Sequence, residues 1–148
     1  MISPFSDEYF MKQALLEAQK AFDEGEVPVG AVIVANTQII ARAHNLTEKL
    51  NDVTAHAEMQ AITSAANFLG GKYLKGCTLY VTLEPCTMCG GALYWSQLDK
   101  IVFGAEDEKR GAGRHSGIYH PKTEVISGVL EKDASELIKS FFQQKRKG

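Results

Sequence analysis

"TAHAEMQAI", residues 54–62, sets a histidine and a glutamate two positions apart at the head of an apolar-periodic run. On an α-helix, residues two apart point nearly opposite ways around the axis. A group beside the helix could therefore touch His56 or Glu58 but not both. A group just beyond the helix N-terminus could be reached by both. The spacing predicts a helix from about Thr54 to Leu69, closed by Gly70 and Gly71, with a target lying off its start.

A partner stands downstream in "LEPCTMCGGAL", residues 83–93. Cys86 and Cys89 are three apart, so they share one face of a helix predicted over roughly Cys86–Ser96. Pro85 marks the entry into it, where a missing N–H costs little. Thiolates near a helix N-terminus are favoured by the positive end of the macrodipole. Two such sulfurs and the His56 imidazole form a donor set of the right softness for Zn²⁺.

Three protein ligands leave a fourth tetrahedral position open, where a bound water can ionise near neutral pH. Glu58 is then the natural proton carrier, flanking the metal without ligating it. A thioredoxin-like redox pair, or half of a structural zinc site, would also explain Cys86 and Cys89. Neither gives His56 and Glu58 a task. H-x-E followed by P-C-x-x-C, each heading a predicted helix, is the signature of zinc-dependent deaminases. Cys77 opens a β-rich run with no partner at ligand spacing and reads as a small core residue. His44, His115 and His120 read as surface or packing residues.

The remaining elements fall around these two. "YFMKQALLEAQKAFDEG" (9–25) carries a helical stripe at Phe10, Ala14, Leu15, Ala18, Ala21 and Phe22, with Gly25 as its stop. "GAVIVANTQIIARAHN" (30–45) reads as a β-hairpin turning near Asn36. "CTLYVTL" (77–83) and "KIVFGA" (100–105) read as strands, and "EVISGVL" (124–130) as a last one. Residues 106–123 lack a period and form a loop. "DASELIKSFFQQKRK" (133–147) is a final helix with Asp133 and Glu136 at capping-box spacing. The order α-β-β-α-β-α-β-β-α predicts a layered α/β fold with helices packed on a mixed sheet.

At 148 residues, with no repeat or linker, the chain is expected to be one domain, residues 1–148. It is 45% hydrophobic and 23% charged, and no apolar run is long enough to span a bilayer. The start, "MISPFSDEYF", lacks the basic and apolar parts of a signal peptide, so a cytoplasmic location is expected. A net charge of −2 argues against a broad basic surface; Lys145, Arg146 and Lys147 are the local exception.

"EVPVGAVIV", "AHN", "TAHAE", "TLYVTLEPCTMCGGAL", "IVFGA" and "SFFQQKRK" resemble the bacterial tRNA-specific adenosine deaminases of the cytidine deaminase-like superfamily. The resemblance runs from the first helix to the C-terminus and is weakest between Glu106 and Thr123. It implies a three-layer α/β/α cytidine deaminase-like fold on a mixed five-stranded sheet, and zinc on His56, Cys86 and Cys89. It implies that Asn45 binds the purine and that backbone near Ala57 helps fix it. The implied reaction turns wobble-position adenosine into inosine: hydroxide adds to C6, Glu58 moves the protons, and ammonia leaves. The substrate would be a base splayed from a tRNA anticodon loop, and the enzyme a homodimer.

Two departures stand out. The family usually has Asp-Pro before Thr-Ala-His-Ala-Glu, and here it is Asp52-Val53. The stretch after "FGA" also differs from the family's, near where RNA contacts are expected. The rival is a free purine base deaminase, guanine deaminase above all, because "GALYWS" with Tyr94 and Trp95 resembles that family's helix. "EVPVGAV" and the basic final helix, where Lys145, Arg146 and Lys147 would suit phosphates, favour RNA. Cytidine-type deaminases, which usually place cysteine at the His56 position, are weaker rivals. A non-enzymatic zinc-stabilised interaction domain would leave Glu58 without consequence.

Overall fold

The computed structural model describes residues 2–147, the last of them by its backbone alone. The element order is α1 (Asp7–Asp23), β1 (Gly30–Ala35), β2 (Gln38–His44), α2 (Ala57–Leu69), β3 (Cys77–Leu83), α3 (Thr87–Ser96), β4 (Lys100–Ala105), β5 (Glu124–Ile126) and α4 (Glu131–Lys147). A 3-10 turn at Ala112–Arg114 interrupts the long loop between β4 and β5. The strands form one sheet in the order β2-β1-β3-β4-β5. β1 pairs antiparallel with β2 and β3, whereas β3, β4 and β5 run parallel. The predicted α/β class and mixed five-stranded sheet are what the chain adopts.

The hairpin turns on Asn36 and Thr37, both with positive φ (51° and 61°). That pair of left-handed residues matches the twist of the flanking strands. The side chains of β1 then alternate between two cores. Ala31 and Ile33 face Ala57, Ala61 and Ala65 of α2 and Leu93 of α3. Val32 and Val34 face Phe10, Met11 and Ala14 of α1. α4 lies on the α1 side, where Phe141 meets Phe22 edge-on at 5.8 Å. Helices thus cover both faces of the sheet.

The bounds of β5 and α4 differ from those expected. β5 keeps only Glu124–Ile126 of "EVISGVL", because Gly128 with φ +86° turns the chain back and its N–H bonds to Gly104 O. α4 starts at Glu131, so Asp133 sits inside the first turn and not at the cap. It still meets the positive end of the helix dipole there. The α1 stripe is also wider than read. Met11 and Glu17 are buried, while Leu15 and Phe22 are half-buried against α4.

Glu17 is held by Lys20 Nζ at 2.8 Å and His44 Nδ1 at 3.3 Å. Burial opposes its charge, but these two partners outweigh burial and keep the carboxyl below its ordinary 4.5. A depressed folded-state value contributes stability above the unfolded value and loses it as pH falls through the folded one. Glu17→Gln should therefore be less stable than wild type by roughly 1 kcal/mol at pH 7. The gap should narrow as the pH falls below the ordinary value of 4.5. Urea titrations at several pH values check this; a gap constant with pH would show that the ionised form is not what matters.

Candidate active site

β2 and β3 both run antiparallel to β1, so their C-terminal ends lie at the same end of the sheet. The segments that follow them open α2 and α3 side by side. His56 and Cys86 are the N-caps of these helices, with extended backbones (ψ 156° and 175°), and neither makes a side-chain cap. Both helices begin later than the sequence suggested. The two positions that usually hold Ser, Thr, Asp or Asn carry an imidazole and a thiol instead, which leaves their donor atoms free.

His56 Nδ1 lies 3.7 Å from Cys86 Sγ and 3.4 Å from Cys89 Sγ. All three donor atoms fall within 4.8 Å of one another. Tetrahedral zinc with ordinary Zn–S and Zn–N bonds requires N···S separations of about 3.6 Å. The residues present therefore fit the metal, and among the described residues no other such group of possible ligands occurs. Cys89 is fully buried; His56 and Cys86 are half-buried, which leaves one side of the cluster accessible.

The charges in the cluster are mutually dependent. The Cys89 thiol, together with His56, stabilises the Cys86 thiolate and holds it down to about 4. The neighbouring Cys86 sulfur, burial and the Glu58 charge push the Cys89 thiol up. The nearby Cys86 thiolate raises the His56 imidazole. A dication replaces the shared protons, so metal binding here is coupled to proton release.

Glu58 follows His56 by two residues and is 4% exposed. Burial pushes its carboxyl up to about 7, against the pull of its own backbone N–H and the His56 charge. A value near neutrality suits a group that must both take and give a proton. Asn45 is buried at the end of β2, and its Oδ1 accepts a 2.8 Å hydrogen bond from Ala57 N–H. This bond caps α2 in place of His56. It also means that the Ala57 N–H is already engaged, while the Asn45 amide nitrogen has no partner among the described residues.

Other candidates lie elsewhere. His44 bridges Glu17 and Glu24, and His120 packs on Tyr94 with ring centroids 5.1 Å apart. His115 is exposed. Cys77 is buried in the core, as expected. Val53, at the place of the family's proline, is 85% exposed in a turn that Asp52 closes on Thr54 N–H (2.8 Å). Lys145 and Arg146 lie on exposed positions of the last turns of α4, Lys145 Nζ 5.6 Å from the Phe141 ring centre. The side chain of Lys147 lies outside the described residues.

Two site-flanking residues escaped the sequence reading, Glu26 and Glu84. Glu26 accepts hydrogen bonds from the N–H groups of Glu48 (3.0 Å) and Lys49 (2.9 Å), and so ties down the segment after Asn45. Glu84 does the same for the loop after β4. The available signal was an acidic residue at the edge of an otherwise apolar run, in "EVPVG" and "LEPC".

Residues 4–105 match the cytidine and deoxycytidylate deaminase zinc-binding region. The chain is 49% identical to the tRNA-specific adenosine deaminase of Bacillus subtilis, covering 95% of this chain and 91% of the relative. A solved structure from a study of A-to-I editing by tRNA:A34 deaminases superposes with a TM-score of 0.82 at 43% identity, over 87% of this chain and 98% of that one. The X-ray structure of guanine deaminase from Bacillus subtilis is more distant, with a TM-score of 0.67 at 38% identity over 77% and 71%. The chain therefore belongs to the zinc-binding cytidine and deoxycytidylate deaminase family and, within it, groups with the tRNA-specific adenosine deaminases.

Proposed function

We propose that this protein deaminates adenosine to inosine at the wobble position of tRNA, with zinc held by His56, Cys86 and Cys89 and Glu58 as the proton carrier. One observation carries the reading: three metal-ligand donors at tetrahedral spacing, accessible on one side, beside a buried carboxylate. The substrate follows from the company the chain keeps, since its relatives of 49% and 43% identity are tRNA deaminases.

Zinc, when bound, lowers the pKa of a coordinated water toward neutrality. The other steps belong to the chain. Glu58 takes a proton from the attacking water and passes it to the purine ring as oxygen bonds to C6. It takes a second proton from the added oxygen and gives it to the amino group, which leaves as ammonia. Water is consumed, ammonia is released and no redox change occurs. Asn45, its Oδ1 fixed by Ala57 N–H, directs its amide nitrogen toward a purine acceptor. The reading includes one zinc per chain, a homodimer and a cytoplasmic location. Among the described residues no helix is long and apolar enough to cross a membrane.

The basic residues near the C-terminus supply phosphate contacts in this reading. Replacing Lys145, Arg146 and Lys147 by Gln should weaken stem-loop binding and lower the slope of log affinity against log salt by up to about 2. Zinc content should be unchanged. Equal salt slopes for variant and wild type would remove these residues from the interface.

A second reading, deamination of a free purine base, has one observation in its favour: the likeness to guanine deaminase, sharpened by Trp95, which is 74% exposed. The deciding experiment offers the zinc-loaded protein an adenosine-containing anticodon stem-loop and free guanine in parallel, and follows ammonia and product. Inosine in the stem-loop supports the proposal. Xanthine with untouched RNA replaces it with the free-base reading.

A further inference from the structure

The loop from Glu106 to Thr123 lies beyond residues 4–105 that match the family, yet it is fastened beside the metal ligands. The fastening is one buried carboxylate. Glu84, 8% exposed, accepts Asp107 N–H on Oε1 at 2.9 Å and Gly113 N–H on Oε2 at 3.0 Å. Around it, Pro85 O accepts Ala112 N–H at 2.8 Å, and Cys86 forms an isolated β-bridge with Gly111. Among the described residues no cation pairs with Glu84. Its two oxygens are committed to loop amides.

The loop's composition answers to the same group. A methyl on Gly113 would stand 2.7 Å from Glu84 Oε2 and meet little else, and a methyl on Gly111 would collide with the same carboxylate. A side chain at either position would have to displace the Glu84 carboxylate, and neither residue has a positive φ that would call for glycine on its own account. Beyond the clamp the loop carries Tyr119, whose hydroxyl is buried without a hydrogen-bond partner among the described residues. A methyl on Gly90 of α3, one residue after Cys89, would reach the Tyr119 ring at 3.8 Å. The loop therefore returns to the helix that carries Cys89 and is capped by Cys86.

We infer that Glu84 is a positioning residue: through its two amide contacts it sets this loop as a wall of the substrate site, so that substrate affinity depends on the clamp. The inference rests on the proposed deaminase function. A glutamine at 84 keeps the size but turns an NH₂ toward one of the two amides, so only one contact survives. An alanine at 113 forces the same contact apart from the loop side.

The test is a double-mutant cycle at 15 °C, well below unfolding, on whichever of the stem-loop and free guanine the wild type turns over. Glu84→Gln and Gly113→Ala should each raise KM roughly ten-fold while kcat stays within about three-fold and zinc content is unchanged. In a Glu84→Ala background the added methyl meets no carboxylate, so Gly113→Ala should do no further harm. Variants that lower the melting temperature but keep the wild-type KM would make Glu84 a structural residue only and overturn the inference. So would additive effects in the cycle. Wild type that converts guanine and leaves RNA untouched overturns the substrate reading instead, and the KM comparison is then decided on guanine.

Discussion

Glu58→Ala is expected to fold, to hold its full complement of zinc, and to lose about 10² to 10⁴ in kcat. Folding is spared because the substitution removes a carboxylate that is 4% exposed and whose charged form burial disfavours. The small cavity left behind lies at the first turn of α2, where the Asn45–Ala57 bond still holds the backbone. Zinc is spared because the fitted donor set is His56, Cys86 and Cys89. Only the proton path is cut. Glu58→Gln should behave alike, since an amide of the same shape cannot carry the proton. Metal analysis, circular dichroism and turnover on the substrate of choice check the three claims separately. More than a tenth of wild-type kcat in either variant would end the proton-carrier role.

The largest stability effect is expected at Gly30, where β1 begins under α1. A methyl there would overlap the backbone carbonyl of Ala14 and the backbone nitrogen of Ala18, and stand 2.8 Å from Glu17 Cβ. Two of these obstacles are main-chain atoms of a helix, which no change of rotamer can move aside. Either α1 shifts off the sheet, uncovering Phe10, Met11 and Ala14, or the strand bends and loses its Thr82 Oγ1 contact (3.1 Å). Gly30→Ala should therefore cost at least about 3 kcal/mol. Gly71→Ala is the control, because nothing lies within 4 Å of its added methyl; it should stay within about 0.5 kcal/mol of wild type. Urea denaturation reads both. A Gly30→Ala protein within 1 kcal/mol of wild type at the same m-value would mean that the helix–strand packing is looser than its backbone contacts imply.

How far the sequence reaches depends on the range of the interaction. β3 and β4 are bounded as read, because an apolar run ends where its burial ends. The hairpin is also legible, since its turn is a two-residue local affair. β5 was overestimated, and α4 begins two residues before the apparent cap. Both ends are decided by the turn at Gly128 and Leu130, where contact with β4 overrides propensity.

The site divides along the same line. That His56, Glu58, Cys86 and Cys89 belong together was determined by residue type and order alone, since few chemistries use an imidazole, two thiols and an acid in that arrangement. That His56, Cys86 and Cys89 meet at tetrahedral spacing was decided by topology, which brings the C-terminal ends of β2 and β3 to one end of the sheet. What Glu26 and Glu84 hold could be found only in three dimensions. Their partners are backbone amides, which every residue but proline carries, so a sequence gives no sign of which amide a buried carboxylate will meet.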